Sequence, residues 1–199
     1  MNLFILLLLI FLFLLCVLEF IFIIKISNET HNKYVFHFKK GTKLYALAYK
    51  DDLTDLFNRN AYIRDLEKFK REKFRSLWFS IFDIDNFKVI NDTKGHLYGD
   101  KILISAANRL CEIFAEKNHT VYRIGGDEFL VISKNISEDD LIDLLLKLKK
   151  AELKNSDFRF SKGYSFVESN SRESLNIAFD NADKMLYADK NSKKHNLFN

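Results

Sequence analysis

Two acidic residues follow a pair of glycines in the segment Arg123–Phe129, which reads Arg-Ile-Gly-Gly-Asp-Glu-Phe. Apolar, β-prone residues lie on both sides, so the glycine pair predicts a tight turn between two strands. Glycine has no Cβ and can take positive φ, which would let a bulky ligand approach the backbone. Asp127 and Glu128 would stand at the rim of this turn, where carboxylates suit a hard cation such as Mg²⁺ that carries a phosphate. A surface hairpin with solvated acids explains these residues equally well.

A second acidic stretch lies upstream, where Asp83 and Asp85 follow an apolar run that begins at Leu77. The pattern predicts a strand that delivers Asp83 at its end, then a short helix and a glycine-punctuated loop before a longer helix. Asp83 could instead cap the short helix, although Asp85 could also serve as that cap. The chain has only six glycines and no proline, and five of the six lie in these two stretches and near Gly163. We expect a chain with so few glycines to keep them where backbone geometry requires them.

The periodicity of the apolar residues predicts the elements that position these acids. The predicted helices are 59–72, 86–92, 100–116, 138–151 and 173–189. The predicted strands are 77–83, 120–125, 128–133 and 157–166. Ser137 precedes three acids, which is the pattern of a helix N-cap with a negatively charged first turn. Strands and helices in this order predict an α+β domain.

Together these motifs resemble those of the GGDEF family, the diguanylate cyclases. The pentapeptide that names the family is intact at Gly125–Phe129, and Asp83–Asp100 is similar to the family pattern Asp-x-Asp-x-Phe-Lys-x-x-Asn-Asp-x-x-Gly-His-x-x-Gly-Asp. The segments Asp52–Arg59 and Ala182–Tyr187 also match, in the family's order. The resemblance covers roughly residues 50–195. It implies a palm-like, mainly antiparallel sheet flanked by helices.

The reaction that the resemblance implies joins two GTP molecules into cyclic di-GMP. Each 3′-hydroxyl attacks the α-phosphate of the partner GTP, and pyrophosphate leaves. Two Mg²⁺ ions per active site, with Mn²⁺ as a possible substitute, would stabilise the attacking and leaving oxygens. The resemblance implies Asp83, Asp127 and the backbone carbonyl of Ile84 as metal ligands, and Asp127 and Glu128 as catalytic residues. Glu128 is expected to be a metal ligand or the base for the 3′-hydroxyl, and catalysis is expected to need a homodimer.

The substrate would bind to groups on several helices. Asn91 and Asp100 match the guanine-reading positions of the family, although Asp100 could simply cap the helix predicted to begin there. Lys190 and Lys194 match a basic pair that reaches the phosphates, and a solvated tail explains them almost as well. The start of the short helix presents free N–H groups suited to phosphate. The implied substrate-binding residues are Phe87, Lys88, Asn91, Asp100, Lys190 and Lys194.

Three features depart from the family pattern. Phe57 replaces a proline that is usual in the N-terminal motif. Glu116–His119 occupies the place of an Arg-x-x-Asp product-inhibition site, so no inhibitory site is expected. The Gly-Arg-Asn that normally follows the last helix is replaced by Lys193, Lys194 and His195, and the final edge strand is expected to be stunted.

The N-terminal run of residues 3–24 is apolar apart from Glu19. A helix of this length spans about 33 Å, enough for a bilayer core of about 30 Å. No positive residue precedes the run and no small-residue cleavage site follows, which favours a retained anchor over a signal peptide. Lysines follow the span, so the positive-inside rule predicts a cytoplasmic C-terminal side. We expect a single-pass bacterial inner-membrane protein with an anchor (1–25), a connector (26–50) and a GGDEF domain (51–199).

Composition narrows the function further. The net charge of +4 comes from basic residues spread among acids, which indicates a solvated surface rather than a nucleic-acid-binding face. Cys16 and Cys111 form neither a disulfide framework nor a metal set, and both are predicted to be packing residues. A catalytically silent GGDEF domain that binds GTP or a partner protein is the alternative function. The intact acids Asp83, Asp127 and Glu128 favour the enzyme.

Overall fold

The structure, a computed structural model, describes residues 19–21, 23–28, 41–154, 157–169 and 171–195, with only the backbone given for 194 and 195. The chain divides into two compact units, Met1–Ala46 and Leu47–Asn199. In the first unit the described residues are helical and exposed. Most of the predicted anchor lies outside the described residues. Among those that are described, no helix is both long and apolar enough to cross a bilayer.

The second unit contains a five-stranded sheet with helices on both faces. The strands are β1 (Phe57–Asn58), β2 (Leu77–Ile84), β3 (His119–Arg123), β4 (Glu128–Lys134) and β5 (Phe160–Phe166). The helices are α1 (Arg59–Phe69), α2 (Phe87–Lys94), α3 (His96–Ile113), α4 (Glu138–Lys154) and α5 (Arg172–His195).

The strand order in the sheet is β1-β3-β4-β2-β5. β1 pairs with β3 in parallel, and every other pair is antiparallel, so the predicted mainly antiparallel sheet is confirmed. β2 is buried along its whole length and lies between β4 and β5. The register sets Asp83 of β2 opposite Glu128 of β4 and Ser161 of β5. The two predicted acidic stretches therefore meet at one end of the central strands.

Alternate residues of β2 face two separate apolar layers, as the two-residue period of a strand requires. Phe82 and Ile84 belong to the cluster that packs on α3 and α4. Phe79 and Ile81 belong to the cluster that packs on α1 and α5. Asp83 continues the second row, so its carboxylate lies on the face covered by α1 and α5.

Helix α5 approaches β5 closely, because Gly163 has no side chain. A Cβ at Gly163 would lie 2.0 Å from the carbonyl oxygen of Ala182 and 2.4 Å from the amide nitrogen of Leu186. Three backbone amides of β5 donate to side chains of the neighbouring helices. Phe160 donates to Glu152 at 2.7 Å, Lys162 to Asp189 at 3.0 Å and Tyr164 to the sulfur of Met185 at 3.4 Å.

The helix starts confirm one cap and correct two others. The Ser137 hydroxyl accepts from the amide of Asp140 at 3.1 Å, as a capping residue should. Helix α3 begins at His96 and not at 100, so Asp100 lies inside the helix and does not cap it. Asn86 occupies the N-cap of α2 in the left-handed conformation, φ 58°, so neither Asp83 nor Asp85 holds that position. The first four residues of α3, His96–Gly99, were not predicted as helical because a glycine and polar residues interrupt their periodicity.

Candidate active site

The acids of the two predicted motifs form what we call the acid edge, Asp83, Asp127 and Glu128 at the ends of β2 and β4. Asp83 is buried and directly opposite Glu128, which is exposed at the first position of β4. The amide of Ile84 donates to the carbonyl oxygen of Asp127 at 3.3 Å, which fixes the turn beside the end of β2. Side chains that face each other on neighbouring antiparallel strands lie close together. The fold therefore places two carboxylates side by side, with a third at the adjoining turn.

The glycines of the turn act differently from the prediction. Neither Gly125 nor Gly126 has positive φ; among the described glycines only Gly95 does, at 82°. A Cβ at Gly125 would lie 2.6 Å from the Glu128 carboxylate, so a side chain there would displace this flexible group. A Cβ at Gly126 would meet nothing within 4 Å. The absence of a side chain at Gly125 thus lets Glu128 fold over the turn.

Hydrogen bonds from Arg123 fix the conformation of this turn. Together with its partners it forms a group that we call the brace: Asp51, Thr54, Arg123 and Gly126. The guanidinium donates to the carbonyl oxygen of Gly126 at 2.7 and 3.1 Å and to Asp51 at 2.9 Å. Asp51 also accepts from the amide and the hydroxyl of Thr54. Burial would raise the pKa of Asp51, but these hydrogen bonds and the charge of Arg123 outweigh it and lower the pKa.

The brace contains a residue that the sequence analysis missed. Asp51 directly precedes the matched segment that starts at Asp52, and it lies 72 positions from its partner Arg123. The Asp-x-x-Thr spacing is a signal of a local side-chain turn, which could have identified it. Asn58, which follows, caps α1 by accepting from the amide of Ala61 at 3.1 Å.

A lysine from α5 reaches the acid edge. The ammonium nitrogen of Lys190 lies 2.6 Å from the carboxylate of Asp83. Burial raises the pKa of Asp83, and the negative charges of Asp127 and Glu128 add to this increase. Lys190 opposes the shift but does not cancel it. The acid edge therefore carries more negative charge than one lysine offsets, and a further cation would be stabilised there.

The expected guanine-reading residues come together around Gly99. A Cβ at Gly99 would lie 1.9 Å from the side-chain oxygen of Asn91 and 3.3 Å from the ring of Phe87. The Asn91 oxygen is buried, and it has no hydrogen-bond partner among the described residues. A buried polar atom without a partner is costly in a folded protein, so a ligand that donates to it would be favoured. Asp100 follows Gly99 on α3 and is partly exposed.

Two lysines that were predicted to bind the substrate, Lys88 and Lys194, have no described side-chain contact that fixes their position. Lys88 is exposed in the first turn of α2. The backbone of Lys194 continues α5, and its side chain lies outside the described residues. Cys111 is exposed on α3, which corrects its prediction as a packing residue.

The donor atoms of the acid edge fit a hard divalent cation. Mg²⁺ is commonly held by one or two protein carboxylates together with substrate phosphates. Asp83, Asp127 and the carbonyl of Ile84 offer oxygen ligands of this kind at the end of β2. In the described part of the chain, no three His, Cys, Asp or Glu side chains are grouped closely enough to hold a metal ion by themselves. Two carboxylates and one carbonyl oxygen are the kind of partial ligand set that suits a metal ion bound together with a phosphate.

Comparison with known proteins identifies relatives of this chain. The probable diguanylate cyclase DgcI of Escherichia coli strain K12 is 36% identical over 110 residues, which cover 55% of this chain and 24% of DgcI. The diguanylate cyclase DgcN of the same organism is 39% identical over 104 residues, covering 50% of this chain and 25% of DgcN. The chain thus matches about a quarter of the length of these curated relatives.

The fold is also similar to that of solved structures. The coiled coil and GGDEF domain of DgcB from Caulobacter crescentus, in complex with c-di-GMP, superposes with a TM-score of 0.73 at 22% identity. The match covers 84% of this chain and 93% of that one, and at this identity it shows the fold. The family model described as "Diguanylate cyclase, GGDEF domain" matches residues 48–196, and the chain therefore belongs to the GGDEF family of diguanylate cyclases.

Proposed function

We propose that the chain is a membrane-anchored diguanylate cyclase that condenses two GTP molecules into cyclic di-GMP with release of pyrophosphate. The observation that carries the proposal is the acid edge, where Asp83 lies opposite Glu128 and within 2.6 Å of the Lys190 ammonium. Carboxylates that can share a cation with phosphate, next to a lysine, are the groups that phosphoryl transfer needs. Membership of the family supports the same reaction.

The metal ions are assigned to the oxygens at the end of β2. Diguanylate cyclases of this family use divalent metal ions, and we propose two Mg²⁺ per active site, with Mn²⁺ as a possible substitute. Asp83, Asp127 and the carbonyl of Ile84 would hold them. When bound, the metal ions supply positive charge that stabilises the attacking and leaving oxygens.

The side chains around the acid edge would orient the substrate. Lys190 would leave Asp83 and bind phosphate oxygens, joined by Lys194 and by Lys88 at the start of α2. Glu128, exposed at the start of β4, would accept the proton of the 3′-hydroxyl. The buried oxygen of Asn91 would accept from the guanine edge, and Asp100 would accept from a second donor there.

Two GTP molecules must react with each other, which requires two sites to face one another. We propose that a homodimer brings the acid edges of two subunits together, each with its own GTP. We also propose that residues 1–25 anchor the chain in the bacterial inner membrane with the GGDEF domain in the cytoplasm. The lysines that follow the apolar run support this orientation. A reporter fused after Asn199 should behave as a cytoplasmic protein, and a periplasm-active reporter there would contradict the topology.

The decisive experiment incubates the purified chain with GTP and Mg²⁺ and separates the nucleotides by chromatography. Formation of cyclic di-GMP and pyrophosphate is expected. The matched control is Asp143→Ala, which removes an exposed acid from α4 and should leave the yield unchanged. Binding of GTP without any product would indicate a catalytically silent domain and overturn the proposal.

A further inference from the structure

A second lysine of α5 lies in a dense polar cluster beside the acid edge. The ammonium of Lys193 lies 3.0 Å from Asp85, 3.1 Å from Asp189, 3.2 Å from the Ser161 hydroxyl and 2.5 Å from the carbonyl oxygen of Phe160. We call this group the lysine clamp. The cluster joins the last turns of α5 to the residue after β2 and to the start of β5.

The partners of Lys193 in the lysine clamp also form hydrogen bonds with each other and with neighbouring backbone groups. The Ser161 hydroxyl donates to Asp85 at 2.5 Å, and the amide of Asp85 donates to the carbonyl oxygen of Arg159 at 2.8 Å. Asp189, one turn before Lys193, also accepts from the amide of Lys162 at 3.0 Å. An ammonium has three donors, and here four oxygen atoms surround it. Lys193 is therefore held in place far more firmly than an exposed lysine would be.

The two lysines and their acids are arranged in parallel. Lys190 and Lys193 are three residues apart on one helix, and residues at this spacing lie on the same face. Their partners Asp83 and Asp85 are two residues apart at the end of β2. Lys190 has one ion-pair partner in the described part of the chain, whereas Lys193 has two together with two neutral acceptors.

We propose that Lys193 is a positioning residue that fixes the end of α5, so that Lys190 meets Asp83 in the free protein and the phosphates in the complex. The proposal rests on the proposed function for its nucleotide step only. Removing Lys193 would leave Asp85 and Asp189 without their cation. The end of α5 would then be tied less tightly to the ends of β2 and β5, so the ion pair between Lys190 and Asp83 would be formed less often.

The first test uses the full chain without nucleotide. Reductive methylation of Lys190 is followed by mass spectrometry of peptides that contain it, in wild type, Lys193→Gln and Asp85→Asn. We expect Lys190 to react about fivefold faster in both variants, which corresponds to the loss of an ion pair worth about 1 kcal/mol. Lys150→Gln, which removes an exposed lysine from α4, is the matched control and should not change the rate.

The second test measures turnover of GTP with Mg²⁺. Lys193→Gln should raise KM for GTP about fivefold and leave kcat within about twofold, because it weakens phosphate binding by one displaced ion pair. In a Lys190→Gln background the same substitution should raise KM no further, because Lys193 acts through Lys190. A substitution that only destabilised the fold would lower Tm equally in both backgrounds and would leave the methylation rate of Lys190 unchanged. That result would overturn the proposal.

The two proposals can fail separately. If wild type makes no cyclic di-GMP, the proposed function fails, and the methylation rates still decide the role of Lys193. If Lys193→Gln does not fold by circular dichroism, Ser161→Ala provides a milder variant, because it removes only the hydroxyl between Asp85 and Lys193. It should raise the methylation rate about twofold, as expected for one hydrogen bond. An unchanged rate in this folded variant would contradict the clamp.

Discussion

Two carboxylates of this domain have the same kind of partner and opposite electrostatic outcomes. Asp51 lies 2.9 Å from the guanidinium of Arg123, and Asp83 lies 2.6 Å from the ammonium of Lys190. The pKa of Asp51 is lowered and that of Asp83 is raised. One nearby cation is therefore not sufficient to decide the charge state of a carboxylate.

The difference comes from the other neighbours. Asp51 is partly exposed and accepts two further hydrogen bonds from Thr54, so its charged form is well satisfied. Asp83 is buried, and the acids Asp127 and Glu128 add negative charge beside it. Asp51 is suited to hold structure. The ionised form of Asp83 is not fully stabilised by Lys190, so a substrate that binds together with a cation would stabilise it further.

The largest expected effect is on catalysis at the acid edge. Asp127→Ala should reduce cyclic di-GMP formation by a factor on the order of 10³, because a charge that stabilises the transition state is lost. Tm should stay within a degree or two of wild type, since Asp127 is a partly exposed turn residue. Turnover is measured by chromatography of the products, with Asp143→Ala as the control. Near-normal turnover in Asp127→Ala would remove this acid from the mechanism.

A substitution in the brace should reduce the stability of the fold rather than catalysis. Asp51→Ala should lower the free energy of unfolding by about 2 kcal/mol, because Arg123 and Thr54 lose a charged partner. The neighbouring Asp52→Ala is the matched control, since Asp52 is exposed and should change stability by less than about 0.5 kcal/mol. Urea unfolding followed by circular dichroism measures both. Equal effects of the two substitutions would mean that the brace adds no stability.

A third carboxylate, Asp100, extends the comparison to specificity. An ionised carboxylate only accepts hydrogen bonds, so it complements the N1–H and 2-amino groups of guanine and faces the N1 lone pair of adenine. Asp100→Ser introduces a hydroxyl that also donates, so the preference for GTP over ATP should fall about tenfold. The ratio of kcat/KM for the two nucleotides measures it. An unchanged ratio in the folded variant would assign base reading to other residues.

The smallest effect concerns the stability contribution of Asp83. Since its pKa is raised in the folded state, protonated Asp83 favours folding, and this contribution is lost as pH rises through the folded pKa. Asp83→Asn should therefore lose less stability than wild type as the pH rises from acid to neutral, because it has no carboxylate to ionise in the buried site.

The lowered pKa of Asp51 gives the opposite dependence of folding stability on pH. Its contribution is present above the ordinary value of 3.8 and is lost as pH falls through the folded pKa. Thermal unfolding of wild type, Asp83→Asn and Asp51→Ala across pH separates the two. If Asp83→Asn loses as much stability as wild type between acid and neutral pH, the contrast between the two acids is wrong.

Local patterns predicted much of this domain. The central strands β2 and β4 and the cap at Ser137 follow from apolar runs and from one short spacing, and the acids at the strand ends follow with them. The two-residue parallel strand β1 is too short to give a periodicity. The pairing of Asp51 with Arg123 and the Lys193 cluster depend on contacts between distant segments, which no local pattern contains.

The roles proposed for the site residues depended on the family resemblance. Asn91 illustrates the limit: the sequence marks it as a matched position, but only the fold shows that Gly99 leaves space for its buried oxygen. The glycines of the turn show the converse. The sequence suggested that they take positive φ, whereas neither does, and a Cβ at Gly125 would instead approach the flexible carboxylate of Glu128.

The strand β5 lies at the edge of the sheet, where another chain could add a strand. An edge strand with free amides invites another chain to add a strand, which is a common start of aggregation. Here the amides of Phe160, Lys162 and Tyr164 are each bonded to a side chain from α4 or α5. The helices thereby occupy three of the amides that an incoming strand would need, which makes this edge of the sheet a poorer template for adding a strand.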